Sequence, residues 1–174
     1  MLLDFLRTSA NLKNIPRQGW IDKLEISNPE SVADHTFSMA IIGMILSDSK
    51  NYNTEKILKM ILLHDLAESI TGDITPEQKS VVDKKRLEEK TMKEILSNLP
   101  KEIQSQYLKI WDEYQDNQTN DANFVHQIDK FEMALQSKIY EKQTNPKKTK
   151  VFFESARKEI RDESLVKMLE KLCE

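Results

Sequence analysis

The stretch KMILLHDLAESITGD, residues 59–73, begins as an apolar helix and then becomes acidic. His64 and Asp65 follow directly after three aliphatic residues, in a run that would normally lie in a protein core. An ionised carboxylate in a core is costly unless a partner pairs with it or it coordinates an ion. Glu68 falls on the same helical stripe as His64 and Asp65. The stretch therefore predicts a helix that directs metal-ligating side chains towards the protein interior.

The rest of the chain predicts an all-α fold in a single domain, residues 1–174. Helical periodicity runs almost end to end, and 3 Gly and 5 Pro are too few for the turns of an all-β protein. Asn28 and Pro29 resemble an N-cap and a first helical residue, and Thr75-Pro76-Glu77 is another helix start. We expect loops at 13–30 and 144–150, and helices at 2–12, 29–47, 54–69, 75–99, 100–115 and 120–143, with one or two more at 151–172.

Composition limits the partners that the protein can have. A net charge of −3 and a pI near 5.7 do not indicate the basic surface that binds a nucleic-acid polymer. No apolar stretch approaches the ~18 residues of a membrane-spanning helix, and the first residues do not resemble a signal peptide. Cys173 is the single cysteine, which fits a reducing compartment. We therefore expect a cytoplasmic protein without a membrane partner.

Two further residues are predicted to face the same interior as His64 and Asp65. His35 shares a helical stripe with three apolar residues, and Asp129 lies on a later helix among apolar neighbours. Two imidazoles and two carboxylates suit one divalent ion, which could be Mn, Co, Mg, Fe or Zn. The predicted metal ligands are His35, His64, Asp65 and Asp129.

The residues alone leave other interpretations open. A helical bundle with buried polar pairs would contain the same inward side chains without a cation. His126 lies three residues before Asp129 and could be proposed as a ligand, although the four-ligand set is complete without it. The segment DKKRLEEK, within residues 81–96, is interpreted as a solvated, charged helix face.

The pattern H…HD…D, formed by the four predicted ligands, resembles that of the HD-domain metal phosphohydrolases. The blocks RQGW, PESVADHTFSMA, LLHDLAESITGDITP, WDEYQ and DKFEMALQSKIYE are similar to the branch of small HD-domain proteins that are 5'-deoxynucleotidases. They occur in the same order over about residues 10–142. No role is identified for the helices expected at 150–173.

The resemblance implies an HD-domain helical bundle that hydrolyses deoxynucleoside 5'-monophosphates with a divalent metal, and it favours a homodimer. It also implies the four metal ligands named above. The implied catalytic residues are Glu68, as the acid/base, and Asp73, a second acid near the substrate and the attacking water. The implied substrate-binding residues are Arg17 at the phosphate, Trp20 at the base or sugar, and Glu113 as an acid near the site.

Other functions are compatible with the same centre. Related HD proteins cleave cyclic nucleotides, nucleoside triphosphates or guanosine alarmones. A different class would be a helical nucleotide sensor that keeps the fold but has lost turnover. The compact length and the block ITGDITP favour monophosphates.

Overall fold

The computed structural model describes residues 1–75 and 84–173, and it confirms the all-α prediction. Within these residues the only β-type pairing is an isolated bridge between Pro16 and Ser31. A short 3-10 helix, Asn11–Asn14, follows the first α-helix. The α-helices are α1 (Leu2–Ala10), α2 (Gln18–Leu24), α3 (Val32–Lys50), α4 (Thr54–His64), α5 (Glu68–Thr71), α6 (Lys84–Leu96), α7 (Lys101–Asp116), α8 (Asn120–Tyr140), α9 (Pro146–Glu159) and α10 (Glu163–Leu172).

The predicted loop at 13–30 was wrong in its middle, because α2 forms there. This helix has only seven residues, and its ordered state depends on the burial of Trp20 and Leu24, which local sequence signals do not reveal. The predicted start of α3 at Asn28 and Pro29 was also wrong. Ser31 is the N-cap, since its side chain accepts a hydrogen bond from the Asp34 backbone and the Asp34 carboxylate accepts from the Ser31 backbone.

The predicted single helix at 54–69 divides into α4 and α5. Helix α4 ends at His64, and Asp65 leaves helical geometry with φ −105° and ψ 14°. Two i→i+3 hydrogen bonds, to the carbonyls of Leu63 and Asp65, form the tight turn before α5. This turn changes the direction in which Asp65 projects, so the ligand pair does not lie on one uninterrupted helix.

The C-terminal part also differs from the prediction in detail. Helix α9 already begins at Pro146, with the Asn145 side chain capping it, inside the segment that was expected to be a loop. The tail forms two helices, because the chain is extended at Ile160 and the Asp162 side chain caps α10. In the proposed helix start Thr75-Pro76-Glu77, the last two residues lie outside the described part of the chain.

Helix α3 packs against α4 at Gly43. A Cβ atom at Gly43 of α3 would clash with the Cδ1 atom of Ile61 on α4, so only glycine allows this separation without a shift. The rings of His35 and His64, on the same two segments, lie with centroids 5.7 Å apart. The main core also includes side chains from α7, α8, α9 and α10.

A second, smaller apolar cluster attaches α2 to the C-terminal helices. It contains Trp20, Leu24, Ile26, Tyr140 and Phe152. The cluster is important for the site because it fixes the segment that immediately follows Arg17. In the described part of the chain, no helix combines the length and the apolar character needed to cross a membrane.

Candidate metal centre and adjoining cavity

His35 and His64 each have one ring nitrogen bonded and one buried nitrogen without a hydrogen bond. His35 Nδ1 lies 2.5 Å from Glu132 Oε2, and His64 Nδ1 lies 2.5 Å from the Ile61 carbonyl oxygen. Both partners are acceptors, so they favour the tautomer that carries its proton on Nδ1. The Nε2 atoms of both rings are buried and make no hydrogen bond. Unpaired imidazole lone pairs with an acceptor behind each ring are typical of metal-ligating histidines.

Two carboxylates lie beside these nitrogens. Asp65 Oδ2 is 3.0 Å from His64 Nε2, and Asp129 Oδ1 of α8 is 3.3 Å from His35 Nε2. Ligand atoms of His35, His64 and Asp65 all lie within 4.8 Å of one another. The structure thus brings three of the four predicted metal ligands into one cluster and places the fourth, Asp129, against His35. Two nitrogen and two oxygen donors, with two buried lone pairs otherwise unused, fit a divalent ion.

The electrostatics of the four side chains also favour a cation. Burial would raise the pKa of Asp65, but His64 and Arg17 hold it well below its usual range. Burial would likewise raise the pKa of Asp129, but His35 holds this pKa well below its usual range. Burial would lower the pKa of His35, yet the carboxylates around it raise this pKa to about 10. The centre therefore presents ionised carboxylates that attract positive charge, either a proton on the imidazole or a metal ion.

Two further acids lie next to this centre. Glu68 begins α5 and is only 2% exposed; its Oε2 atom is buried and makes no hydrogen bond. Burial, followed by the charges of Asp65 and Asp73, raises the pKa of Glu68 well above its usual value. Asp73 follows Gly72, whose φ of +75° favours glycine, and its carboxylate accepts a hydrogen bond from the Gln18 backbone at 2.8 Å. A carboxyl group with a raised pKa can donate or accept a proton near neutral pH.

Arg17 lies opposite these acids. Its Nη1 atom is 3.4 Å from Asp65 Oδ2, and the negative charges around the guanidinium raise its pKa despite burial. The backbone of Arg17 donates a hydrogen bond to the Glu30 carbonyl at 3.0 Å, beside the bridge between Pro16 and Ser31. A permanently charged guanidinium fixed in this way is suited to binding a phosphate group.

Trp20 and Glu113 have other partners in the structure. Trp20 is 2% exposed, its Nε1 donates to Glu30 at 2.8 Å, and its ring packs 4.5 Å from that of Phe152. Its remaining surface lines the cavity described below. The Glu113 carboxylate instead accepts hydrogen bonds from Lys56 and Thr119 and does not line that cavity. The geometry therefore gives no support to a substrate contact by Glu113.

A cavity of about 890 Å³ opens beside the candidate metal centre. Three of the four predicted metal ligands line it, and Glu68, Asp73 and Arg17 line it as well. One wall comes from α9, for which the sequence suggested no role, through Val151, Phe152, Ser155 and Glu159. The volume is in the range of pockets that hold a nucleotide-sized ligand.

His126 also lines this cavity, but it is engaged elsewhere. Its Nε2 atom lies 2.9 Å from the Tyr114 carbonyl oxygen, and its ring stacks on that of Tyr114 with centroids 4.0 Å apart. The Tyr114 ring in turn lies in an edge-to-face arrangement with the His64 ring, with centroids 5.4 Å apart. His126 therefore supports the surroundings of the centre, and the structure does not place it among the converging donors.

Sequence reasoning missed Glu132 and Lys84. Glu132 is 1% exposed and is the acceptor behind His35. Its position three residues after Asp129, on the same helix face, was a usable signal. Lys84 lies 3.5 Å from Glu68 and lines the cavity, although its segment was interpreted as a solvated surface.

Comparison with known proteins agrees with this geometry. A family model described as "HD domain" matches residues 9–171. The chain is 40% identical to "5'-deoxynucleotidase HDDC2" of Dictyostelium discoideum, covering 89% of this chain and 87% of the relative, and 35% identical to the Homo sapiens protein of that name, covering 98% and 84%. The crystal structure of the PH0347 protein from Pyrococcus horikoshii superposes with a TM-score of 0.81 at 31% identity, covering 99% of this chain and 98% of that one. The chain belongs to the HD-domain family.

Proposed function

We propose that this chain is a metal-dependent 5'-deoxynucleotidase, which hydrolyses deoxynucleoside 5'-monophosphates to a deoxynucleoside and phosphate. The single observation that carries the proposal is the pair of buried, unbonded Nε2 atoms facing two aspartates at the edge of a nucleotide-sized cavity. The relatives named 5'-deoxynucleotidase support the substrate class, since they match over most of their own length.

His35, His64, Asp65 and Asp129 would hold the metal. When bound, a divalent ion supplies a water of lowered pKa and positive charge for the phosphoryl oxygens. Phosphate monoesters need such help, because the dianion repels an incoming nucleophile and hydrolyses extremely slowly on its own. The Glu132 carboxylate and the Ile61 carbonyl keep the two imidazoles in the ligating tautomer.

The other residues of the cavity would bind the phosphate and move protons. Arg17 offers two parallel N–H donors to phosphate oxygens and stays charged at any physiological pH. Glu68, with its raised pKa, holds a proton that it gives to the leaving 5'-oxygen. Asp73, fixed by the Gln18 backbone, orients the attacking water.

A phosphate-release assay tests this function. Protein purified without nickel affinity is stripped with a chelator and then assayed with Mn, Co or Mg on deoxynucleoside and ribonucleoside monophosphates. We expect metal-dependent release from the deoxynucleotides, loss of release with chelator, and a lower melting temperature of the stripped protein, because an ion that binds only the folded state stabilises it. Binding without release would indicate a sensor, and release only from cyclic nucleotides, triphosphates or alarmones would indicate another HD enzyme.

We also propose that the chain acts as a single domain, as a homodimer and in the cytoplasm. Side chains of α9 and α10 belong to the main core, which supports one domain. Helix α3 exposes an apolar stripe at intervals of four residues, Phe37, Ile41 and Ile45, which supports a contact with a second copy. The cytoplasmic location stays a prediction from the cysteine content.

Light scattering after size exclusion tests the dimer. We expect a mass of about twice the 20.3 kDa of one chain. Phe37→Glu should shift the protein to the monomer mass, because a charge on this stripe would be buried in the interface. A monomeric wild type at every concentration would reject the homodimer.

A further inference from the structure

Lys84, the first residue of α6, is an additional cation at the candidate active site. Its side chain is 23% exposed, and its Nζ donates a hydrogen bond to the Ile74 carbonyl at 3.0 Å. The same nitrogen lies 3.5 Å from Glu68 Oε1 and 3.3 Å from Glu88 Oε1. Lys84 thus joins α6 to α5 and to the segment that follows Asp73.

These contacts give the two oxygens of the Glu68 carboxylate different surroundings. Oε1 faces the Lys84 ammonium group, whereas Oε2 is buried without a hydrogen bond. A carboxyl group that transfers a proton must present one oxygen in a defined direction. The hydrogen bond from Lys84 to Oε1 restricts the side-chain rotation of Glu68 and leaves Oε2 as the oxygen that is free to exchange a proton.

The hydrogen bond to Ile74 adds a second effect. Asp73 precedes Ile74, and its carboxylate is bonded to the Gln18 backbone. Lys84 therefore holds the carbonyl next to Asp73 while it also contacts Glu68. One side chain on α6 therefore contacts both the Glu68 carboxylate and the backbone next to Asp73.

We propose that Lys84 is a positioning residue for Glu68, which acts through the Glu68 carboxylate and not as a metal ligand. This inference rests on the proposed 5'-deoxynucleotidase function. The interpretation of DKKRLEEK as a solvated, charged helix face was wrong at Lys84, which lines the cavity, whereas Lys93 of the same helix pairs with Glu89 at the surface.

The experiment compares Lys84→Met, Lys84→Arg and the control Lys93→Met. In Lys84→Met we expect kcat to fall about 10–100-fold with KM nearly unchanged, as for a misplaced catalytic group. Lys84→Arg should recover part of kcat, since it restores the charge, and Lys93→Met should match the wild type. Metal content and the thermal shift with manganese should be unchanged in all three variants.

A double-mutant cycle separates positioning from a general structural effect. If Lys84 acts through Glu68, the double variant Glu68→Gln, Lys84→Met should be no slower than Glu68→Gln alone. Additive losses, or a Lys84→Met kcat equal to that of Lys93→Met, would overturn the inference while leaving the proposed function intact. A wild type that releases no phosphate from any nucleotide would reject the proposed function and the positioning role with it.

Discussion

His64→Ala is expected to lose the bound metal and the phosphatase activity together. His64 is buried at the end of α4, and its Nε2 atom lies 3.0 Å from Asp65 Oδ2 in the centre of the donor set. Loss of a hydrogen-bond partner behind a ligand typically costs ~10–100-fold in metal affinity or activity, and loss of the ligand itself should cost more. Metal analysis of protein purified without nickel affinity measures the first effect, and phosphate release measures the second.

His126→Gln is the matched control for that substitution. His126 is also an imidazole at the cavity, but its Nε2 atom is engaged by the Tyr114 carbonyl, so we expect the metal to be retained. A His64→Ala variant that folds, keeps its ion and stays active would remove the basis for the metal centre. Equal metal loss in His126→Gln would instead make His126 a fifth candidate ligand.

The candidate metal centre could be predicted from sequence because its residues interrupt apolar stripes. His35 and Asp129 each occupy a position where the helical pattern requires an inward side chain, and such positions are rarely polar without a partner. Their convergence required one further condition, which is that α3, α4 and α8 pack around a common core. The structure meets it, because Gly43 of α3 lies against side chains of both α4 and α8.

The rest of the site depends on contacts that local patterns do not contain. The tight turn after His64 contains no proline or glycine, so the sequence pattern predicts one helix over residues 54–69. Two helix-start signals compete before α3, and the capping box at Ser31 forms instead of the cap at Asn28. Phe152 of α9 reaches the cavity because it packs on Trp20, a contact between residues far apart in the chain. Lys84 and Glu68 likewise meet only in the folded protein.

Glu68→Gln is expected to keep the metal and lose most of the turnover. Glutamine preserves the size of the side chain but cannot exchange a proton, and general acid–base catalysis typically contributes about 10²–10⁴-fold. Burial and the nearby charges of Asp65 and Asp73 raise the pKa of Glu68, so its protonated form persists towards neutral pH and can serve the leaving oxygen. Single-turnover kinetics with metal analysis on the same sample would measure both effects.

The raised pKa gives an independent check through stability. The unfolded chain ionises Glu68 near its ordinary pKa of about 4.5, whereas the folded chain holds the proton to higher pH. The folded wild type therefore loses stability as the pH rises from that value to the folded-state pKa, and Glu68→Gln does not. We therefore expect the melting temperature of Glu68→Gln, relative to that of the wild type, to increase as the pH rises over this range.

Glu89→Gln is the control for both measurements, because Glu89 pairs with Lys93 at the surface. Lys93 lowers the pKa of Glu89, so any pH effect of Glu89 on stability lies below this range, and its removal should change neither turnover nor the pH dependence within it. If Glu68→Gln loses the ion, Glu68 is a ligand and another group must supply the proton. If it keeps both the ion and the wild-type rate, the leaving group needs no acid from this side chain, and Asp73 becomes the residue to test.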